Sequence, residues 1–480
     1  MEFKMADKQF VKQIADIEEN FTQWYTDVVL KTELVDYGPV KGTMVIRPYG
    51  YAIWENIQKD LDKRFKATGV QNAYFPMFIP QSFLMKEAEH VEGFAPEVAV
   101  VTHAGGEKLA EPLIVRPTSE TIIGHMYSKW LKSYRDLPIL INQWANVVRW
   151  EKTTRPFLRT SEFLWQEGHT VHASEEEAME ETLKMLNVYK SFAEETLAIP
   201  VFTGRKTEKE KFAGGLATFG MEAMMLDGKS LQAGTSHYFG QNFTKAFDIQ
   251  FLDKDGKLKH GYSTSWGVST RLIGAIIMAH GDQRGLVLPP MVAPIQVVIV
   301  PVAAHKGGVI EKAKEIESAL INLGIRAEVD TRDMSPGWKF NEWEMKGVPL
   351  RIEIGPKDIE NNQAVLVRRD NLEKTFVSLD NLNETVKGLM EEIQKAMLIK
   401  SRERRDKKIV YADSLDGILS GVEGKNFVKA GWCGCRECED KVKEYAQATA
   451  RVMDETEATP EKCAICGKPA KHMVIFARAY

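Results

Sequence analysis

Cysteine is missing from the first 432 residues of this 480-residue chain, which excludes a disulfide framework over nine-tenths of its length. Apolar runs are short. Those such as Ile295 to Val302 are strand-length, far from the ~20 residues that span a bilayer. The opening MEFKMADKQF is charged and offers no apolar signal segment, so a cytoplasmic protein with no membrane attachment is expected. Positive charge is not in excess either. Sixty-three Lys and Arg face 67 Asp and Glu, a net of −4, so an RNA partner has to be held by local patches. There is no internal repeat and no low-complexity stretch.

What is present is the composition of a globular protein: 44% apolar, 27% charged, with length for two to four domains. Phe10, Ile14, Ile17 and Phe21 predict a helix over 8–24. Ile53, Trp54, Ile57, Leu61 and Phe65 predict another over 50–67, ended by Gly69. Ala73 to Ile79 reads as a strand, and Pro76 within it suggests an edge or a subunit boundary. Ser174 with Glu175, Glu176 and Glu177 opens a helix over 174–197. Strand-like text at 231–252 and 262–266 precedes a helix over 268–280. Runs of strands with inserted helices indicate an α+β fold built on an antiparallel sheet.

After Pro289-Pro290 strands alternate with helices, the pattern of a separate α/β domain. The basic run KSRERRDKK at 400–408 follows, readable as a solvated linker or as an RNA contact. The expected units are 1–289, 290–398 and 399–480.

The chemistry concentrates in VVRWEKTTRPFLRTSEFLWQEGHT. Arg149 and Glu151 are two apart, so on a strand they share a face. Lys152, Arg155 and Arg159 form a basic loop, and Glu162, Trp165, Glu167 and His169 lie on a second strand-like run. This is the layout of a hairpin that holds a phosphate ester. Adenylation needs such a clamp, because an arginine can hold a carboxylate and an α-phosphate in line against their mutual repulsion.

The same segment resembles motif 2 of the class II aminoacyl-tRNA synthetases. TSWGVSTRLIGA resembles motif 3 and GVQNAYFPMFIP motif 1, in the family order. LIVRPTSE, KFAGG, QAGTSHYFGQNF and GDQRGLVLPP resemble the prolyl-tRNA synthetases of archaeal/eukaryotic-like type, over essentially the whole chain. That resemblance implies a ligase that activates L-proline with ATP and transfers it to tRNA(Pro). Arg149, Arg271 and Glu151 would be the catalytic residues. Thr118, Glu120, Arg149 and His237 would bind proline. Arg149, Thr160, Ser161, Gln232, Thr235, Ser269 and Arg271 would bind ATP. The physics agrees: prolinium carries two N–H donors and a positive charge, which suit Thr118 and Glu120. Phe94, Trp165 and Phe212 are candidate walls for its ring. Mg2+ is expected with ATP, and Glu151 is a carboxylate available to it.

The family further implies a homodimer whose seam includes Pro76, and a terminal Tyr480 folded back toward the active site. Only 120 positions separate Glu151 from Arg271, so no editing insertion is expected, and a proline pocket should admit some alanine. Arg351, Glu353 and Lys357 are candidate RNA contacts of an anticodon-binding domain. Met291 stands where some relatives would have a basic residue.

The five cysteines are Cys433, Cys435, Cys438, Cys463 and Cys466. Two pairs about 25 residues apart point to a tetrahedral structural Zn2+ site. Spacing alone pairs Cys435 with Cys438. The family resemblance instead implies Cys433 and Cys438 with Cys463 and Cys466. Rival readings are a class II synthetase for another amino acid and a non-catalytic relative that binds tRNA. The first lacks a catalytic-pocket cysteine of the threonyl type, and the second is disfavoured by the presence of both Arg149 and Arg271.

Overall fold

A computed structural model describes residues 14–90 and 97–480. Its centre is an eleven-stranded sheet. From one edge the order is Ile409–Ala412, Phe427–Trp432, His472–Ala477, Thr449–Met453, Val201–Arg205, Ala217–Met224, Ser230–Gly240, Tyr262–Ser269, Glu162–His172, Ile139–Val148 and Gln71–Asn72. The middle of it is antiparallel throughout. Glu162–His172 pairs with Ile139–Val148 on one side and with Tyr262–Ser269 on the other. The helix Glu175–Glu195 lies across the sheet. Ser174 caps it by accepting from Glu177 N, three glutamates sit in its first turn, and Met185, Tyr189 and Phe192 are buried beneath it. The helix Pro48–Ala67 adds Ile53, Trp54, Ile57, Leu61 and Phe65 to the same core.

A second, five-stranded sheet holds Ala327–Val329, Val297–Pro301, Leu350–Ile354, Gln363–Arg368 and Lys374–Ser378 in that order. Its first three strands are parallel, and the remaining pairings are antiparallel. It has its own core around Val297, Ile299, Leu350 and Ile352.

Four elements differ from their sequence expectation. The run Ala73 to Ile79 is not one strand: 73–77 is irregular, between Gln71–Asn72 and Phe78–Pro80, because Pro76 has no N–H for a ladder and Phe75 N donates to the Gln143 side chain instead. Of the helix expected over 8–24, residues 8–13, Phe10 among them, lie outside the described residues; among the described ones the helix runs from Phe21 to Lys31 and 14–20 is not helical. The Asn20 side chain accepts from Gln23 N and caps it there, while Asp16 accepts from Glu18 N and Glu19 N in a turn just before. Ile14 and Ile17 reach the core from that turn. The stretch 231–252 is a strand to Gly240, a short helix Asn242–Ala246, then a further strand Gln250–Leu252. The basic run at 400–408 completes a 25-residue helix, Leu382–Asp406, which passes through position 398. Ser401 is buried within it. Among the described residues no helix is long and apolar enough to cross a membrane.

Candidate active site and metal centre

The central strands surround a cavity of 610 Å³. Thr118, Glu120, Arg149, Glu151, Gln232, Thr235, His237, Ser269 and Arg271 all line it, as do Trp165 and Phe212. The fold therefore gathers nearly the whole expected set, although its members span 154 positions of sequence.

At one end, Glu120 is the first residue of the helix Glu120–Trp130, and the Thr118 hydroxyl donates to its carboxylate. Trp165 and Phe163 stand beside Arg149, with their ring centres 5.4 and 5.7 Å from the guanidinium carbon. Arg149 Nε donates to Pro117 O at 3.1 Å, so the guanidinium is held next to the Thr118–Glu120 turn. Burial weakens its hold on the proton, while Glu120, Glu167 and Glu151 strengthen it. His237 packs 5.0 Å from Phe212, and its Nδ1 lies 2.9 Å from the Thr218 hydroxyl. Burial, then the neighbouring His169, push its pKa down to about 3, so it is neutral in use.

Beneath this end lies a group to which the sequence assigned no role. Glu167 is buried and accepts from Ser119 N, from Gln143 Nε2 and, at 2.9 Å, from His169 Nε2. Burial opposes both charges, yet His169 and Ser119 hold Glu167 below the usual carboxylate range, and Glu167 holds His169 above the usual imidazole range. The two-residue spacing on one strand was a visible signal, but the bond from Ser119 N to Glu167 was not.

At the other end, Arg271 opens the helix Arg271–His280. Its backbone N–H donates to Ser269 Oγ at 3.1 Å, and its guanidinium donates to Leu158 O and to Gln232 O. Burial lowers its proton affinity, as do Arg159 and Arg149. Two arginines facing one cavity across a buried wall make a site for polyanionic phosphate.

Thr160 and Ser161 are not brought to the cavity wall. The Thr160 hydroxyl donates to Glu162 O, and Ser161 N donates to Gly42 O. Both are buried at the entry to their strand. Phe94 lies outside the described residues. Arg351 and Glu353 are turned to each other at 2.9 Å, and Lys357 is exposed. Tyr480 folds back onto the catalytic sheet. Its N–H donates to Ser230 O, its hydroxyl donates to Asp227, and Arg155 and Lys229 lie over its ring.

The sulfurs of Cys433, Cys438, Cys463 and Cys466 all lie within 4.8 Å of one another. Cys433 Sγ is 3.7 Å from both Cys438 Sγ and Cys466 Sγ. A tetrahedral thiolate site with Zn–S near 2.3 Å has edges of about 3.8 Å, so the four sulfurs fit zinc. Gly434 and Gly467 turn with positive φ to place them, and Gly467 N donates to Cys463 O.

Comparison with known proteins agrees with this geometry. Residues 103–280 match the family described as the tRNA synthetase class II core domain (G, H, P, S and T). Residues 296–389 match the anticodon binding domain, and 415–480 the prolyl-tRNA synthetase C-terminal domain. A proline–tRNA ligase of Alkaliphilus oremlandii is 65% identical over 477 residues, and one of Ruminiclostridium cellulolyticum 64% over 478, each with 99% of both chains covered. A crystal structure of prolyl-tRNA synthetase from Cryptosporidium parvum, complexed with halofuginone and AMPPNP, matches with a TM-score of 0.92 at 42% identity, covering 97% of this chain and 96% of that one. Since relatives 64–65% identical are matched over 99% of its length, this chain belongs to the prolyl-tRNA synthetase family of class II aminoacyl-tRNA synthetases.

Proposed function

We propose that this chain is a proline–tRNA ligase in which Arg149 and Arg271 divide the phosphate chain of ATP between them. The observation behind this reading is the single cavity that has Glu120, Arg149 and aromatic walls at one end and Arg271 with Gln232 and Ser269 at the other. Glu120 and Thr118 take the two N–H donors of prolinium, and Trp165, Phe212 and the neutral His237 enclose its ring. The proline carboxylate oxygen attacks the α-phosphorus, the bond to the β-phosphate oxygen breaks, and pyrophosphate leaves. Arg149 holds the two anions in line, and Arg271 holds the far end of the triphosphate. The adenylate's carbonyl then accepts the terminal ribose hydroxyl of tRNA(Pro), and AMP departs.

Thr235 and Ser269 complete the nucleotide wall. Thr160 and Ser161 shape the turn behind it rather than touching ATP through their hydroxyls. Glu151 is the carboxylate placed for the Mg2+ that accompanies ATP. Zn2+ on the four cysteines has no open position and is structural. The chain divides into a catalytic unit over 1–289, an anticodon-binding unit over 290–398 and a zinc-binding unit over 399–480. Its long helix Leu382–Asp406 joins the last two. A cytoplasmic homodimer, with Pro76 near its two-fold seam, completes the proposal.

Amino-acid-dependent ATP–pyrophosphate exchange, run with all twenty amino acids, tests this. Strong exchange with proline, lost by a factor of about 10²–10³ in Arg149→Ala, is expected. Exchange with a different amino acid would overturn the pocket assignment, and none at all from folded, zinc-loaded protein would make the chain a non-catalytic relative.

A further inference from the structure

The zinc-binding unit meets the catalytic sheet at a buried cluster of charge. Its strand Thr449–Met453 pairs with Val201–Arg205 through Met453 and Arg205. Gly204 permits the approach, since a Cβ there would stand 2.3 Å from Met453 O. From the same strand Arg451 reaches Glu222. Its Nη2 lies 3.0 and 3.1 Å from the two carboxylate oxygens, and its Nε 3.1 Å from one of them. Lys206 Nζ binds the same carboxylate, and Ser230 Oγ donates to it at 2.6 Å. Gly220 leaves room for the lysine, because a Cβ there would stand 2.6 Å from Lys206 Cε. All three charged residues are buried, Glu222 completely.

Two cations share one carboxylate here, out of water. An apolar trio of similar volume would hold the seam at least as well, so the arrangement calls for a reason other than adhesion. Its position supplies one. Between Met221 and Glu222 the pairing with Ser230–Gly240 slips: Met221 faces Gly234, Glu222 faces Gln232, and Ala233 is the extra residue of a bulge. Bulges next to active sites re-aim side chains. Gln232, Ala233, Gly234 and Thr235 line the cavity in succession, and Arg271 donates to Gln232 O. The clamped carboxylate therefore sits where the register of the nucleotide wall is decided. Glu222 also helps keep the charge on Arg271, against burial and the repulsion of Arg159 and Arg149.

We propose that Arg451 is a positioning residue for ATP: by clamping Glu222 it fixes the bulge that presents Gln232 and Arg271, so the zinc-binding unit sets nucleotide affinity without contributing a residue to the cavity wall. This rests on the assignment of the Arg271 end of the cavity to ATP.

The test is Arg451→Met in the full-length, zinc-loaded chain. Methionine keeps the stem and removes the guanidinium, and Lys206 and Ser230 still satisfy Glu222. AMPPNP binding, titrated by calorimetry, should weaken roughly tenfold. The KM for ATP in pyrophosphate exchange should rise to match, the KM for proline should stay within about twofold, and Arg451→Lys should recover most of the loss. Unchanged AMPPNP affinity in the folded variant would overturn the proposal. So would an equal rise in both KM values, which is the signature of general loosening. If Arg451→Met does not fold, Arg451→Gln is judged by the same criteria. Calorimetry needs no turnover, so a wild-type chain that bound AMPPNP but exchanged with no amino acid would defeat the proposed function and still leave Arg451 to be decided by the binding comparison.

Discussion

The Glu167 carboxylate accepts the backbone N–H of Ser119 at 3.1 Å, tying the strand Glu162–His172 to the peptide between Thr118 and Glu120. All three of its partners, Ser119 N, Gln143 Nε2 and His169 Nε2, are donors or are held as donors. In Glu167→Gln the new amide NH2 must face one of them. A buried donor against a donor costs about 1–3 kcal/mol, so the KM for proline should rise about 10- to 100-fold while the KM for ATP holds. Steady-state exchange with each substrate varied in turn checks this. Equal effects on both would mean that Glu167 supports the whole fold rather than the proline end.

Tyr480 joins Asp227, Ser230, Lys229 and Arg155, the last from the basic loop of the catalytic hairpin. Deletion of this residue removes two hydrogen bonds and two cation–π contacts and should lower exchange by at least about three- to thirtyfold without unfolding the chain. Exchange rate and denaturant midpoint measured together decide it. Full activity after deletion would reject the role.

Cys433 is the ligand expected to be indispensable to the metal centre, with Cys435 the spare thiol 3.2 Å away from it. Cys435→Ser should retain zinc through dialysis against a mild chelator, and Cys433→Ser should lose it. The zinc content of the two variants is the readout, and the reverse pattern would assign the site to Cys435.

His280 ties the catalytic helix to the rest of the protein. Its Nε2 lies 2.8 Å from Leu197 O, and burial, with Arg404 and Lys400 nearby, lowers its pKa to about 3. The folded value is depressed below the unfolded one, so the unfolded chain binds the extra proton between about pH 6.5 and pH 3. Stability should therefore fall as pH drops through that window, by at most about 1.4 kcal/mol per pH unit from this group. His280→Gln keeps an N–H donor and should flatten the slope. Denaturant midpoints from pH 7 to pH 4 would show it, and an unchanged slope would discount His280.

Local pattern made the central chemistry legible. Arg149 and Glu151 do reach the cavity, but from a turn just past the strand end at Val148, where Glu151 N donates to Arg149 O, and not from one strand face. The Ser174 cap before an acidic turn is a short-range feature that helix signals expose directly. The paired cysteine spacing is local in the same sense. What local pattern could not show has the opposite cause. Ile14 and Ile17 have helical spacing, but the Asp16 turn and the Asn20 cap satisfy backbone donors more locally than a helix would. Thr160 and Ser161 stand beside the right arginine in sequence, yet Gly42, far away in the chain, accepts from Ser161 N and holds that turn behind the wall.

The sequence by itself determined which groups are available: Arg149 and Arg271, Thr118 and Glu120, and five thiols in the last tenth of the chain. Only the tertiary structure decided what those groups face. The Ser119–Glu167 contact spans 48 positions, and the Arg451–Glu222 clamp spans 229. No local propensity encodes such pairs. They form because the antiparallel sheet sets its strands side by side in a single register, and a buried charge must find its partner wherever that register places it.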